Sequence, residues 1–386
     1  MNKKAIAILG AIFILIIGTL GFLIYSKYSK KSTTTEVPAK SEQKTSTSEQ
    51  GNSAPIDQSV NSSAQAQGAS LFSKLSTEQV VSPTLFFNGG GVTYFTTDGL
   101  LMLADLNTEN GVTQLVKKRN LNIKQKSNIS KILWPKKGDD FIAEFSSNGK
   151  KTWSYFNSKI GDYVDFPTQI ISVNWAPEGD KIFYIWSENS KSTLNISNPD
   201  LKNWKKISDM WESDNDISVS HDGLNIVFYS TKNTLEINKI KLTTPDAKLW
   251  KDLVKEGYNS GALWSPDSQK FLFQKKDKNN LAQQIWYYDI LSGESRNLGL
   301  FTTITKVVWG GDSKTIFGSV PKSNTSGNGS VTEDVFVRLD TQNYEKKEFK
   351  NDSYKIDGHD LFLNLNNNIL FFKNNQDNLL YSLKLD

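Results

Sequence analysis

Four tryptophan-centred segments recur along this chain at nearly constant spacing, and that repeat limits the possible folds more than any other feature. They read ILWPKKGDDFIAEF, VNWAPEGDKIFYIW, ALWSPDSQKFLFQK and VVWGGDSKTIFGSV, with tryptophans at Trp134, Trp175, Trp264 and Trp309. A fifth segment, SVSHDGLNIVFYS, carries Val219 at the tryptophan position. The key positions lie 41, 44, 45 and 45 residues apart. Weaker copies flank the set: LFFNGGGVTYFT, with Phe87 47 residues before Trp134, and LFLNLNNNILFFKN, with Phe362 53 residues after Trp309. The longest interval contains SNTSGNGS at 323–330, which reads as a loop insertion. Seven units result.

Each unit has one grammar. A strand ends in the aromatic, a tight polar turn follows, and a short apolar strand comes next. Pro177 and Pro266 preset φ for such a turn, and the Asp or Gly after them accommodates the bend. A third strand alternates, as in QQIWYYDI, and a fourth is amphiphilic, as in NWKKIS. Four strands in 41–47 residues make one blade of a β-propeller. One such sheet has two apolar faces that it cannot bury alone, so blades must stack radially. The spacing predicts an all-β, seven-bladed β-propeller, with six blades if a weak terminal copy is an irregular cap. The last unit runs out after its third strand, NLLYSLKL, while an extra apolar strand, LFSKL at 71–75, precedes the first. The N-terminal strand is expected to complete the seventh blade and leave no open edge.

The W-S-P-D-S-x-K-F-L-F pattern from Trp264 to Phe273 resembles the TolB-like, WD-related propeller repeat of bacterial periplasmic and surface proteins, and WAPEGDKIF from Trp175 is a second good match. The segment from Val219 lacks the aromatic, and Trp309 and Trp134 are followed by G-G-D-S and P-K-K-G-D. The resemblance spans about residues 80–386 and implies the blade rather than a function. It includes propeller domains of prolyl-oligopeptidase-like peptidases, but the α/β-hydrolase domain of those enzymes has no counterpart here.

Ahead of the repeats, Ala5 to Tyr25 is 21 residues without a charge, enough to cross a bilayer as a helix, flanked by Lys3, Lys4, Lys27, Lys30 and Lys31. Residues 1–31 read as an uncleaved transmembrane signal anchor, since no A-x-A cleavage site follows. Residues 32–70, rich in Ser, Thr, Gln, Glu and Ala, cannot bury enough apolar surface to offset ordering entropy and read as a disordered linker. Residues 71–386 form the propeller. A short N-terminal tail, one span and a polar spacer place the propeller on the extracytoplasmic side of the cell membrane.

Composition removes much chemistry. The 386 residues include no cysteine and two histidines, His221 and His359. Disulfides, thiolate metal sites and a Cys nucleophile are excluded, and a histidine cluster for metal has almost no material. A net charge of +4 from 45 basic and 41 acidic residues gives no reason to expect nucleic acid. No G-x-S-x-G is present. His221 stands in an S-H-D-G turn where other units have proline, and His359 in D-G-H-D; both read as structural. The run Asn88-Gly89-Gly90-Gly91 lacks G-K-[ST] and leads into a strand, so it reads as a turn. Asp214-Asn215-Asp216 lacks a calcium-loop pattern, and the lysines at 117–126 and 275–278 read as solvated. No catalytic, cofactor or metal residue is assigned, and no cofactor is expected. The site residues are structural aromatics: Phe87, Trp134, Trp175, Trp264, Trp309 and Phe362. The leading expectation is a non-catalytic binding platform for another envelope protein or a surface polymer. The alternative is a surface hydrolase or lyase on glycans or wall polymers, with Asp or Glu at the channel mouth.

Overall fold

The computed structural model describes residues 71–386 apart from 87–88, 110–111, 122, 211–214, 231–238, 255–257, 277–281, 323–330, 351–353 and 386. The anchor and linker expected over 1–70, and the insertion at 323–330, lie outside the described residues. No helix among the described residues is long and apolar enough to cross a membrane.

Seven four-stranded antiparallel sheets follow one another along the chain. The seven-blade count is therefore correct and the six-blade alternative falls. The first strand of each sheet faces the axis: Val80–Leu85, Ile129–Leu133, Ile170–Trp175, Asn215–Val219, Tyr258–Trp264, Val307–Trp309 and Gly358–Leu363. In blade seven the order runs from Phe72–Lys74 outermost, through Leu379–Lys384 and Ile369–Asn374, to Gly358–Leu363. Phe72 pairs with Leu383 and Lys74 with Tyr381, so the two ends of the propeller share one sheet.

The core is divided into seven clusters, one in each joint between neighbouring blades. Between blades two and three, for example, Ile142, Trp153 and Tyr155 pack on Val173, Trp175 and Tyr184. This is what two-faced apolar sheets require: each face is buried by the next blade.

The turns joining inner and second strands carry the repeat's signature. The fourth turn residue has positive φ in all seven blades: Gly89, Gly138, Gly179, Gly223, Ser268, Ser313 and Asn367, between 56° and 94°. Glycine serves where it can, and Ser or Asn elsewhere. The serines also link blades. Asp222 N donates to Ser268 Oγ, and Asp267 N to Ser313 Oγ, each at 3.0 Å; Gly311 N donates to Asn367 Oδ1 at 3.1 Å. Removing one such acceptor by Ser268→Ala is expected to cost about 1 kcal/mol, read as a lower urea midpoint at unchanged m-value.

The tryptophans make a second set of links. Trp175 Nε1 donates to Leu133 O at 2.8 Å, Trp264 Nε1 to Ser218 O at 3.2 Å and Trp309 Nε1 to Leu263 O at 3.0 Å. Each indole thus reaches the carbonyl preceding the key position of the blade before it. Two key positions need correction. Phe86 N donates to Gly91 O and Asn364 N to Ile369 O, as Ala176 N does to Lys181 O. By that register, Leu85 and Leu363 correspond to Trp175. Phe362 lies one residue earlier and stacks on Phe371; Phe87 lies outside the described residues. Phe362 is thus one residue out of register, which in a strand moves a side chain to the other face, while position 87 is two residues from Leu85; a weak repeat with several adjacent aromatics reveals neither.

Candidate functional site

The turn-bearing mouth of the channel is irregular at one place. In six blades the first turn residue donates its backbone N–H across the turn; Ser265 N to Lys270 O at 2.8 Å and Gly310 N to Thr315 O at 2.7 Å are examples. In blade two that position is Pro135, which has no N–H. The inner strand of blade two ends at Leu133, so Trp134 lies beyond its paired end. Trp134 packs on Phe95 and Phe141, with ring centroids 6.3 and 5.2 Å away. Its Nε1 is buried and has no hydrogen-bond partner, unlike the indoles of Trp175, Trp264 and Trp309.

A cavity of about 660 Å³ lies at this irregularity, a volume typical of small-ligand sites. Blade one contributes Thr84, Leu85 and Phe86; blade two, Trp134 to Lys136, Gly138 and Asp139; blade three, Asn174 to Pro177; blade four, Val219 to His221; blade seven, Leu365. The walls are mainly aromatic, proline and aliphatic, and the polar groups stand among them. His221, although exposed at the rim, is crowded by its surroundings. Burial and then the charge of Lys136 push its imidazole below the ordinary histidine value, which favours the neutral form near pH 7. Asp139 is the one carboxylate among the lining residues.

His221, which stands where other units have a turn proline, thus also lines the cavity. The sequence signal was present in two departures from the repeat, proline directly after Trp134 and histidine after Ser220. Their convergence on one mouth depended on the ring closing.

A second cluster of titratable groups occupies the opposite end of blades six and seven. Lys306, on a 3₁₀ turn (Ile304–Lys306), is buried, with its Nζ donating to Asp334 Oδ2 at 2.8 Å, to Thr332 Oγ1 at 2.7 Å and to Asp357. Ser319 Oγ and Gly358 N also donate to Asp334 Oδ2, at 2.6 and 3.1 Å. His359 Nε2 lies 3.1 Å from Asp357 Oδ1. Burial alone would raise the Asp357 carboxyl, but hydrogen bonds to His359 and Lys306 and their charges bring it well below the usual carboxylate range. Asp357, held ionised in this way, is not a general acid, and the cluster reads as a buried tie between blades.

Gly89 lies in a turn and Gly91 opens a strand. Asp216 accepts from Ser172 Oγ and Ile217 N, across the joint of blades three and four; Asp214 lies outside the described residues. Lys118, Lys124 and Lys126 pair with Glu78, Asp162 and Asp165.

No family model matches the sequence, and no curated protein matches it. Solved structures do match. An oligogalacturonate lyase in complex with manganese shares 11% identity, over 82% of this chain and 93% of the lyase, with a TM-score of 0.58. An oligogalacturonate lyase from Vibrio parahaemolyticus shares 9% identity over the same shares, 82% and 93%, with a TM-score of 0.59. The Cps50 (Swd1) β-propeller domain of Myceliophteria thermophila shares 9% identity over 81% and 98%, with a TM-score of 0.56. TolB from Acinetobacter baumannii shares 16% identity over 76% and 78%, with a TM-score of 0.43. The chain is a seven-bladed β-propeller, the fold that these comparisons show. The expectation of a non-catalytic platform is corrected: two matching propellers of this architecture are lyases, so the fold gives no ground for excluding catalysis.

Manganese belongs to one of those lyases, and the residues here do not fit it. The cavity offers one imidazole beside an ammonium group, and at the opposite end Lys306 already sits where a cation would bridge Asp334 and Asp357. Among the described residues no group of three metal-ligating side chains converges.

Proposed function

We propose that this propeller is a lyase acting on an anionic, uronate-containing glycan, by β-elimination in the cavity at the turn-bearing mouth. The observation that carries this reading is that His221 and Lys136 line one aromatic-walled cavity, with the imidazole pushed below its ordinary value. The lyases that share the fold support it.

Elimination from a uronate needs a base for the proton next to the carboxylate and a positive charge to stabilise the electrons left behind. Neutral His221 takes that proton, and Lys136 supplies the charge. The C–O bond at the adjacent carbon breaks, and the imidazolium returns the proton to the leaving oxygen. Hydrolysis by two carboxylates is disfavoured, because Asp139 is alone among the lining residues.

Incubation of the protein with oligogalacturonate is expected to generate the ultraviolet absorbance of an unsaturated uronate. His221→Ala should lower the rate about 10²–10⁴-fold. Activity should fall on acidification through a pKa below the ordinary histidine value of about 6.5. Lys136→Gln removes a charge that lowers this pKa, so the acid limb should move to higher pH. No unsaturated product from any polyuronate would reject the reading.

The anchor and linker remain part of the proposal: a single span at Ala5 to Tyr25, with a polar spacer holding the propeller outside the membrane near surface polymers. Protease accessibility of the propeller in intact cells tests that placement.

A further inference from the structure

We infer that the turn-bearing face of the propeller docks on a phospholipid bilayer, through single apolar side chains at the tips of its outer turns. The inference rests on the membrane span proposed for Ala5 to Tyr25, and not on catalysis.

In each four-stranded meander the turn between strands three and four lies at the same end as the turn between strands one and two, because neighbouring strands are antiparallel. In five successive blades that outer turn carries an exposed large apolar side chain: Ile160 in blade two, Trp204 in blade three, Leu249 in blade four, Leu291 in blade five and Tyr344 in blade six. Their exposure runs from 40% to 91%. None of them belongs to a core cluster, so internal packing gives no reason for an apolar residue at these tips. Among the described residues, the exposed apolar side chains of the opposite end, Leu121, Ile171, Phe301 and Val331, share no common turn.

The arrangement points to lipid rather than protein. A protein partner is met by a contiguous apolar patch, whereas these side chains stand singly at separate turn tips. A bilayer takes separated side chains at once, because its apolar phase is continuous beneath the headgroups. Trp204 and Tyr344 are of the residue types that settle at headgroup level. The entry point of the chain agrees. Lys384 N donates to Leu71 O, and the edge strand Phe72–Lys74 starts at the turn-bearing end, so residues 1–70 join the propeller on this face. The charges choose the headgroup. Lys202, Lys248 and Arg296 pair with Asp200, Asp246 and Glu294 of their own hairpins, at 3.0, 3.0 and 3.1 Å. These tips are close to neutral and suit a zwitterionic headgroup better than an anionic one. At the matching end of blade one the sequence is Asn107-Thr108-Glu109, with no apolar tip. The contact is interrupted at that blade, which lines the cavity, and a polymer lying along the membrane has its way in there.

The test is site-directed fluorescence of the full chain in phosphatidylcholine vesicles. The sequence has no cysteine, so Ser292→Cys, beside Leu291, and Val331→Cys, at the opposite end, each take a single polarity-sensitive label. The label at position 292 should shift to the blue and lose fluorescence to a quencher carried on the lipid, and the label at 331 should do neither. Adding Trp204→Ser and Leu291→Ser to Ser292→Cys should remove most of the quenching, while the urea midpoint holds because both side chains are exposed. The inference is overturned if the label at 292 reports water, if the label at 331 is quenched equally, or if the two serine substitutions leave the quenching intact. Flotation of the vesicles after alkaline extraction reports the span separately: a chain that floats while its label at 292 reports water keeps the span and rejects the docking face.

Discussion

Lys306→Met should destabilise the propeller by about 3–5 kcal/mol, although methionine fills much of the same space. The ammonium is the shared partner of Asp334 and Asp357, and all three side chains are nearly inaccessible, at 5%, 0% and 4% relative exposure. Without it, two buried carboxylates face each other with the ammonium gone, and only His359, beside Asp357, is left near them. Adding Asp334→Asn and Asp357→Asn should recover much of the loss, because the penalty comes from the unpaired charges rather than from the absent bond. The pH dependence has a definite sign. Asp357 has a lowered folded pKa, so its contribution is complete above the unfolded value of about 3.9 and is lost as pH falls toward the folded value. In Lys306→Met that contribution reverses, and mild acidification should narrow the gap to the parent. Urea unfolding across pH measures both effects. A midpoint change below about 0.5 kcal/mol at neutral pH would contradict the account.

Phe72→Ala should cost about 3–5 kcal/mol, as large a loss as any single aromatic in the ring. Phe72 stands on the short strand Phe72–Lys74, which would be a minor element in most folds. Here that strand is the outer edge of the closing blade, and its ring is 3% exposed, with centroids 5.7 Å from Phe336 and 6.4 Å from Phe372. Leu75 N and Ser76 N both donate to Leu380 O, and Ser76 Oγ accepts from Leu380 N at 2.9 Å, so the N-terminal segment also satisfies the last full strand's backbone. Losing this seal exposes a strand edge and a cluster of apolar side chains, and aggregation should accompany unfolding. Trp204→Ala is the control. Trp204 is larger but 65% exposed, and its removal should change stability by no more than about 0.5 kcal/mol. Thermal unfolding that ranks these two variants the other way would show that closure through the N-terminal strand does not hold the ring together.

Both effects arise from different levels of information. The closing strand was legible as an arithmetic remainder: one strand short at the C-terminus and one extra before the first blade. The ion cluster was not. Lys306, Asp334 and Asp357 fall in three separate segments with no motif between them, and only the packing of blade six on blade seven brings them together. The same division holds at the cavity. The turn sequence after Trp134 was visibly different from W-S-P-D-S, yet Pro135 reads as an ordinary turn proline until the turn hydrogen bond it cannot make is compared with those of the other blades. His221 reads as a filler in a turn for the same reason. The slip at Leu85 and Leu363 shows the limit of reading a repeat from its aromatics, since hydrogen-bond register, not side-chain size, sets equivalence.

Period, strand count and ring closure are thus properties of the sequence, because each blade is a local meander of short connections whose turn residues and alternating apolar positions are written consecutively along the chain. What the chain can do chemically was decided in three dimensions. Residues 134, 139, 177, 221 and 365 come from blades two, three, four and seven, and they line one cavity only because radial packing gathers the same turn of each blade around one axis. The crowding that lowers the His221 pKa and the burial that strands the Trp134 N–H likewise exist only once that ring has closed.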